Sequence, residues 1–109
     1  MFKIAQNPKF KTVVEVWMTN EKGVAVKSTF KAIFKRITTS EIESWQSNDQ
    51  TTREFLKTKL TGWEELTNDD GEPVEFNDAN LEMLLELPEA VQGLSRALNA
   101  SIHIQKEKN

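Results

Sequence analysis

The sequence predicts an α+β fold: an N-terminal antiparallel β-hairpin or sheet followed by about four short packed helices. Three observations carry this. Val24 to Thr38 alternates apolar and polar residues over a long stretch, the period of a half-buried strand. A second run rich in β-branched and aromatic residues, FKTVVEVWMT, lies just before it, separated by a turn of hairpin length. From Thr38 onward the alternation stops, and helix-starting residues recur ahead of apolar residues at helical spacing.

In chain order, the first strand is Phe10 to Thr19. Phe10, Thr12, Val14, Val16 and Met18 share one face, while Val13 and Trp17 leave the other only partly polar. Asn20-Glu21-Lys22-Gly23 makes the turn. On the returning strand Val24, Val26, Phe30, Ala32 and Phe34 point one way and Lys27, Thr29, Lys31 and Lys35 the other. Two strands alone are marginal in water, so the apolar face needs helices or further strands against it. Two overlapping capping boxes, Thr38 with Glu41 and Ser40 with Glu43, start a helix that runs to about Gln46. Ser47-Asn48-Asp49 offers a cap for a second helix, Gln50 to Thr61, with Phe55, Leu56 and Leu60 as its apolar stripe and Gly62 placed to stop it at C′. A third helix spans Asp78 to about Glu86. A fourth starts at Pro88, a residue suited to a first helical position, and carries Val91, Leu94, Leu98 and Ile102 at helical spacing. Gly93 weakens that helix by about 1 kcal/mol relative to Ala. The domain expected is single, residues 1–105, with the hairpin over about 10–38, the helical part over about 40–104, and a tail at 106–109 that has no reason to be ordered.

Between the second and third helices lies NDDGEPVEFND, where acids and asparagines crowd around Gly71. This density invites a calcium reading. In an EF-hand loop the glycine holds position six and a bidentate Glu position twelve. With Gly71 at six, Leu66 falls at position one and Asn77 at twelve, so the first and last ligands are missing. Turn chemistry accounts for the segment better. Asp69-Asp70-Gly71 suits a tight turn, and Glu72 ahead of Pro73 is pushed into extended geometry. Asn77 then caps a helix whose start is stapled by Phe76 and Leu81 at N′ and N4.

A chain of 109 residues, 38% of them apolar, supports one core and one domain. It has no cysteine, which excludes disulfides and thiolate zinc sites. The N-terminus lacks the apolar run of a signal peptide, and no stretch approaches the roughly 20 apolar residues of a spanning helix, so a soluble intracellular protein is expected, with no membrane partner. The net charge of −3 conceals a polarity: residues 1–36 hold eight Lys/Arg against two acids, and residues 37–109 hold six against fifteen. If the two sets stay apart in space, their field favours head-to-tail self-association or an oppositely charged partner.

Catalytic chemistry finds little to use, and neither catalytic residue, metal site nor cofactor is expected. His103 is the single histidine, the glycines are scattered rather than gathered in a phosphate loop, and acid pairs such as Glu64/Glu65 and Asp69/Asp70 have nothing beside them to tune a proton transfer. Lys27, Lys31, Lys35 and Arg36 could follow a phosphate backbone. Only Trp17 and Ile33 could supply flat or apolar surface there, no pattern of stacking aromatics appears and the chain is acidic in total, so lysines that keep a strand face in solvent are the better reading. Trp17, Trp45 and Trp63 fall in three separate elements and read as core anchors. Trp63, opening the acidic connector, is the candidate for contact with a partner.

The order of these features resembles the phage tail assembly chaperones. A strand pair ending in TFKAIFKRITTSEIES leads to a helix, then GWEEL, then DDGEPVEFNDANLEMLLELPEAVQGL. The matching residues are Gly62, Trp63, Asp70, Gly71, Pro73, Val74, Phe76, Asn77, Leu81, Leu84, Leu85 and Pro88. The likeness is strongest over 62–94 and fair over 28–45. Family members more often have Ser-Pro at the cap where this chain has Asn77-Asp78, a physically equivalent start. The resemblance implies a non-enzymatic protein of the bacterial host cytoplasm that binds the long helical tape measure protein and keeps it soluble. It also implies helping the tail tube protein polymerise around that client, and absence from the finished virion. Trp63, Phe76, Leu81, Leu84 and Leu85 are the candidate partner-binding residues. Many such chaperones have a longer frameshifted form, and Glu107-Lys108-Asn109 can be encoded by a slippery GAA-AAA-AAC. The alternative is a structural tail component, retained in the virion and held in a ring by the positive hairpin meeting the negative helices.

Overall fold

The structure, a computed structural model, describes residues 2, 4, 7–47 and 50–103. Within these the architecture is α+β: a three-stranded antiparallel sheet of order β1-β2-β3 with four helices. β1 is Lys9–Thr19, β2 Ala25–Lys35 and β3 Leu60–Glu64, and the helices are α1 Thr39–Gln46, α2 Thr52–Lys59, α3 Asp78–Leu85 and α4 Pro88–His103.

The hairpin forms in the register its apolar pattern demands. Phe10 faces Phe34, Val14 faces Phe30 and Met18 faces Val26, which sets the apolar side chains of both strands on one face. Its turn closes with Gly23 N–H donating to Asn20 O at 3.0 Å, while Asn20 Oδ1 accepts from Lys22 and Val24 N–H. Gly23 takes the positive φ, +79°, that such a turn requires. β2 stops at Lys35, short of the expected Thr38, because Pro8 can offer the ladder only its carbonyl, which accepts from Arg36 N–H at 2.9 Å.

Two helix starts differ from expectation in detail. α1 uses the first of its two capping boxes, Thr38 with Glu41, and Ser40 lies inside the helix. α2 is capped by Thr51, boxed with Glu54, two residues beyond the Ser47-Asn48-Asp49 segment expected to do so. Asn48 and Asp49 lie outside the described residues, as does the tail 106–109 with its expected disorder.

The larger correction concerns Gly62. It does not stop α2 at C′. The helix ends at Lys59, and Leu60–Glu64 becomes a third strand against β2, with Gly62 opposite Ile33 and without positive φ. A bulge between Ile33 and Phe34 absorbs one extra residue of β3, and Thr61 Oγ1 donates to Ile33 O there at 3.1 Å.

The core lies between the apolar sheet face and the helices. Val14, Phe30, Ala32 and Phe34 of the hairpin meet Phe55 and Leu56 of α2, Leu81 and Leu85 of α3, and Leu94 and Leu98 of α4, all fully or nearly fully buried. Trp45 of α1 stacks on Phe55 at 4.5 Å between ring centres, and its Nε1–H reaches Thr52 Oγ1. Arg53 and Lys57 of α2 hold Glu82 of α3, at 3.3 and 2.6 Å, and Arg53 also holds Glu86 at 2.5 Å. Gly93 is the point where α4 comes down onto the sheet. A Cβ there would stand 2.5 Å from Glu15 O, so this helix can touch the β1 backbone only where the side chain is absent.

Candidate functional site

The five residues singled out by sequence converge on one region, where β3 leads through the acidic connector into α3. Of them, Trp63, Leu81 and Leu85 are core residues, and Phe76 and Leu84 are half-buried. Trp63 stands opposite Ala32 of β2 and points into the core. Its Nε1–H donates to Val74 O at 2.7 Å, and the Phe76 ring meets it edge-on at 4.7 Å. The tryptophan thus clamps the connector arm against the sheet, burying its ring while satisfying its polar edge.

The connector itself is a tight turn. Leu66 O accepts from Val74 N–H and Glu72 O from Asn68 N–H, both at 2.9 Å, and Thr67 bridges Pro73. Asn68 organises the tip: its Oδ1 accepts from Asp70 and Glu72 N–H, and its carbonyl accepts from Gly71 N–H. Gly71 has φ +79°. The Asn68 side-chain oxygen is thus spent on backbone amides. Among the described residues no group of three or more His, Cys, Asp or Glu is placed to hold a metal.

The arm then delivers Asn77, whose Oδ1 caps α3 by accepting from Asn80 N–H at 2.8 Å. Asn80 in turn donates through Nδ2 to Glu75 O at 2.8 Å, tying the arm to the first turn of the helix. With α3 so fixed, Leu81 and Leu85 face the core and Glu82 faces α2. Met83 (67% exposed) and, just past the helix end, Leu87 (41%) open to solvent with the half-buried Leu84 between them. Sequence reasoning missed Met83 and Leu87. The signal was present, since 83, 84 and 87 share a helical face distinct from 81 and 85.

Charge is distributed unevenly around this face. Between Lys59 and Arg96 the chain has ten acids and no base. Glu64 and Glu65 bridge to Lys11 and Lys31 of the hairpin, and Glu82 and Glu86 to α2. The Lys57 ammonium, and secondarily Arg53, hold the Glu82 carboxyl below the usual carboxylate range. Asp69, Asp70, Glu72, Glu75, Asp78 and Glu89 have no ion-pair partner among the described residues. Of the lysine stripe, Lys31 pairs with Glu65 and Lys27 approaches Glu15 at 3.6 Å, while Lys35 stands opposite Lys9.

A second apolar surface lies on the hairpin. Its outer half extends past the helices and leaves Met18 and Val26 open on the core-side face and Val13 and Trp17 open on the other, with Val24 at the turn. Lys27 Nζ sits 5.8 Å from the Trp17 ring centre. No helix of the described residues is long and apolar enough to cross a membrane.

Compared with known proteins, the chain matches a family described as phage tail assembly chaperone over residues 1–109. The match therefore extends beyond residues 28–45 and 62–94, where the sequence resemblance is concentrated, to the first strand and the second half of the last helix. No curated protein and no solved structure matches.

Proposed function

We propose that this chain, which belongs to the phage tail assembly chaperone family, holds the tape measure protein soluble in the host cytoplasm until the tail tube protein encloses it. Membership in that family suggests a non-enzymatic role. The observation that carries the reading is the coexistence of a buried core with apolar surface left open, the outer hairpin and the Met83–Leu87 corner among it. A protein whose task is to mask apolar stripes on a client needs such surface, rimmed by charge that keeps it in solution. Phe76 packs on Trp63, and half-buried Leu84 lies between Met83 and Leu87 at that corner. Trp63, Leu81 and Leu85 serve it from beneath by fixing the position of α3.

The alternative, a structural ring component joined through positive hairpins and negative helices, has less to draw on. Lys11 and Lys31 already pair with Glu64 and Glu65 of the same chain, which spends part of the field that would attract a neighbour. Co-expression with the long helix-rich tail protein tests the proposal. The long protein is expected in the soluble fraction, co-purifying with this chain, only when the two are made together. Recovery of this chain in purified virions at stoichiometric amounts, with the long protein insoluble beside it, would overturn the chaperone reading in favour of the ring.

A further inference from the structure

We infer that the Met83–Leu84–Leu87 face of α3 docks a basic amphipathic helix, an inference that rests on the chaperone reading and names the chemistry of the segment it grips. Charge chooses the partner's sign. The face lies within a stretch of ten acids and no base, and six of those acids have no ion-pair partner among the described residues. Two of the six flank the apolar strip along the chain: Glu75, two residues before the Asn77 cap, and Glu89, two residues beyond Leu87. Lysines or arginines flanking an apolar stripe on the partner would meet them, gaining approach rate and register.

Backbone chemistry chooses the partner's conformation. α3 is capped by Asn77, which accepts from Asn80 N–H, and its last turn is closed by Glu86 and Leu87 N–H, so the surface presents side chains and no free strand edge. A partner laid on it must also satisfy its own backbone, which a helix does and an extended segment does not. Methionine at the most exposed position suits a surface that has to fit more than one stretch of a long client, because its unbranched thioether adapts its shape. The hairpin's open apolar residues lack this charge bias: Glu15 and Glu21 there are matched by Lys22 and Lys27.

Two probes test it with the full chain. The first is a labelled synthetic helix of leucine and lysine, about 18 residues or roughly five turns, titrated against the protein by fluorescence anisotropy. The second is the same helix with glutamate for lysine. The lysine helix is expected to bind and the glutamate helix not. Met83→Lys with Leu87→Lys is expected to weaken binding about tenfold or more, as loss of a central apolar anchor does. Both side chains are exposed enough for the fold to survive, which circular dichroism checks. Glu75→Gln with Glu89→Gln, which leaves the apolar strip intact, is expected to weaken it about threefold at low salt and little at high salt. Val26→Lys on the hairpin is expected to leave it unchanged. No binding of the lysine helix, equal binding of the glutamate helix, or full binding by the Met83/Leu87 variant would each overturn the inference. Co-expression separates it from the reading beneath it. A Met83/Leu87 variant that still keeps the long tail protein soluble sinks this surface and spares the chaperone. A wild-type chain that fails to do so sinks the chaperone, whatever the peptides show.

Discussion

Gly93→Ala reverses the usual expectation for a glycine inside a helix. In a solvent-facing helix the change would stabilise by about 1 kcal/mol. Here the added methyl would stand 2.5 Å from Glu15 O and 3.3 Å from the Val14 and Val16 methyls. Comfortable C···O approach is about 3.3 Å, so α4 has to lift from β1 by roughly 0.8 Å. The obstacle is a backbone carbonyl held in the sheet, not a side chain that can swing away. A gap of about that size forfeits a quarter to a half of the dispersion energy of the facing contacts, and overpacking of this kind costs about 1–3 kcal/mol. Taking the upper end and offsetting the helix gain leaves a net loss of about 2 kcal/mol. Thermal unfolding followed by circular dichroism should then show the midpoint lower by about 10 °C. A variant as stable as the parent would refute the close approach of α4 to β1, and with it the placement of the helical layer on the sheet.

Gly62→Ala should behave oppositely, neutral or stabilising by about 0.5–1 kcal/mol, since strand glycine is entropically costly and the new Cβ meets only Ile33 at ordinary contact; a loss of 1 kcal/mol or more in urea titration would instead indicate a helix-ending glycine. Trp63→Ala should cost about 3–5 kcal/mol, because it empties a core site and orphans Val74 O, and a variant with unaltered urea midpoint would move Trp63 to the surface. Glu41 bears on acid sensitivity. The Lys59 ammonium first, then the Thr38 amide, hold its carboxyl below the usual range, while Lys59 itself is buried. A group lowered in the folded state stabilises above its ordinary value and loses that contribution as pH falls through the lowered one. The stability gap between wild type and Glu41→Gln should thus be widest near neutral pH and close as acidification passes below the ordinary glutamate range; a gap that stays constant would mean the pair does not form.

Much of the hairpin was legible because its information is local and periodic. Cross-strand partners such as Phe10 and Phe34 follow from alternation plus a turn of known length. The caps at Thr38 and Asn77 were equally readable, since each is a side chain acting on amides two or three residues away. β3 was not. LTGWE is five residues long, contains a glycine and follows a helix directly, so it carries too little alternation to register as a strand. Its existence depends on the open edge of β2, a non-local fact. Which of the candidate residues turn outward was hidden in the same way. Leu81, Leu84 and Leu85 are equally apolar in the sequence, and only the direction from which α2 and α4 approach decides that Leu81 and Leu85 turn inward while Met83 and Leu87 turn out.

The charge polarity read from the sequence is also reworked by the fold, and the reworking has a direction. β3 runs antiparallel to β2, which brings Glu64 and Glu65 alongside the hairpin and sets them against Lys11 and Lys31. α2 supplies Arg53 and Lys57 to Glu82 and Glu86. Both sets of bridges remove acids from the sides of the acidic half that face the rest of the molecule. The acids left without partners sit on the connector turn, on the arm, and at the starts of α3 and α4. Helix dipoles account for Asp78 and Glu89 at those starts; Glu72 accepts from Asn68 Nδ2 at 3.3 Å, and Asp69, Asp70 and Glu75 stay without an ion-pair partner among the described residues. On the proposed chaperone reading, an oppositely charged partner would meet the side of the molecule that these acids leave negative.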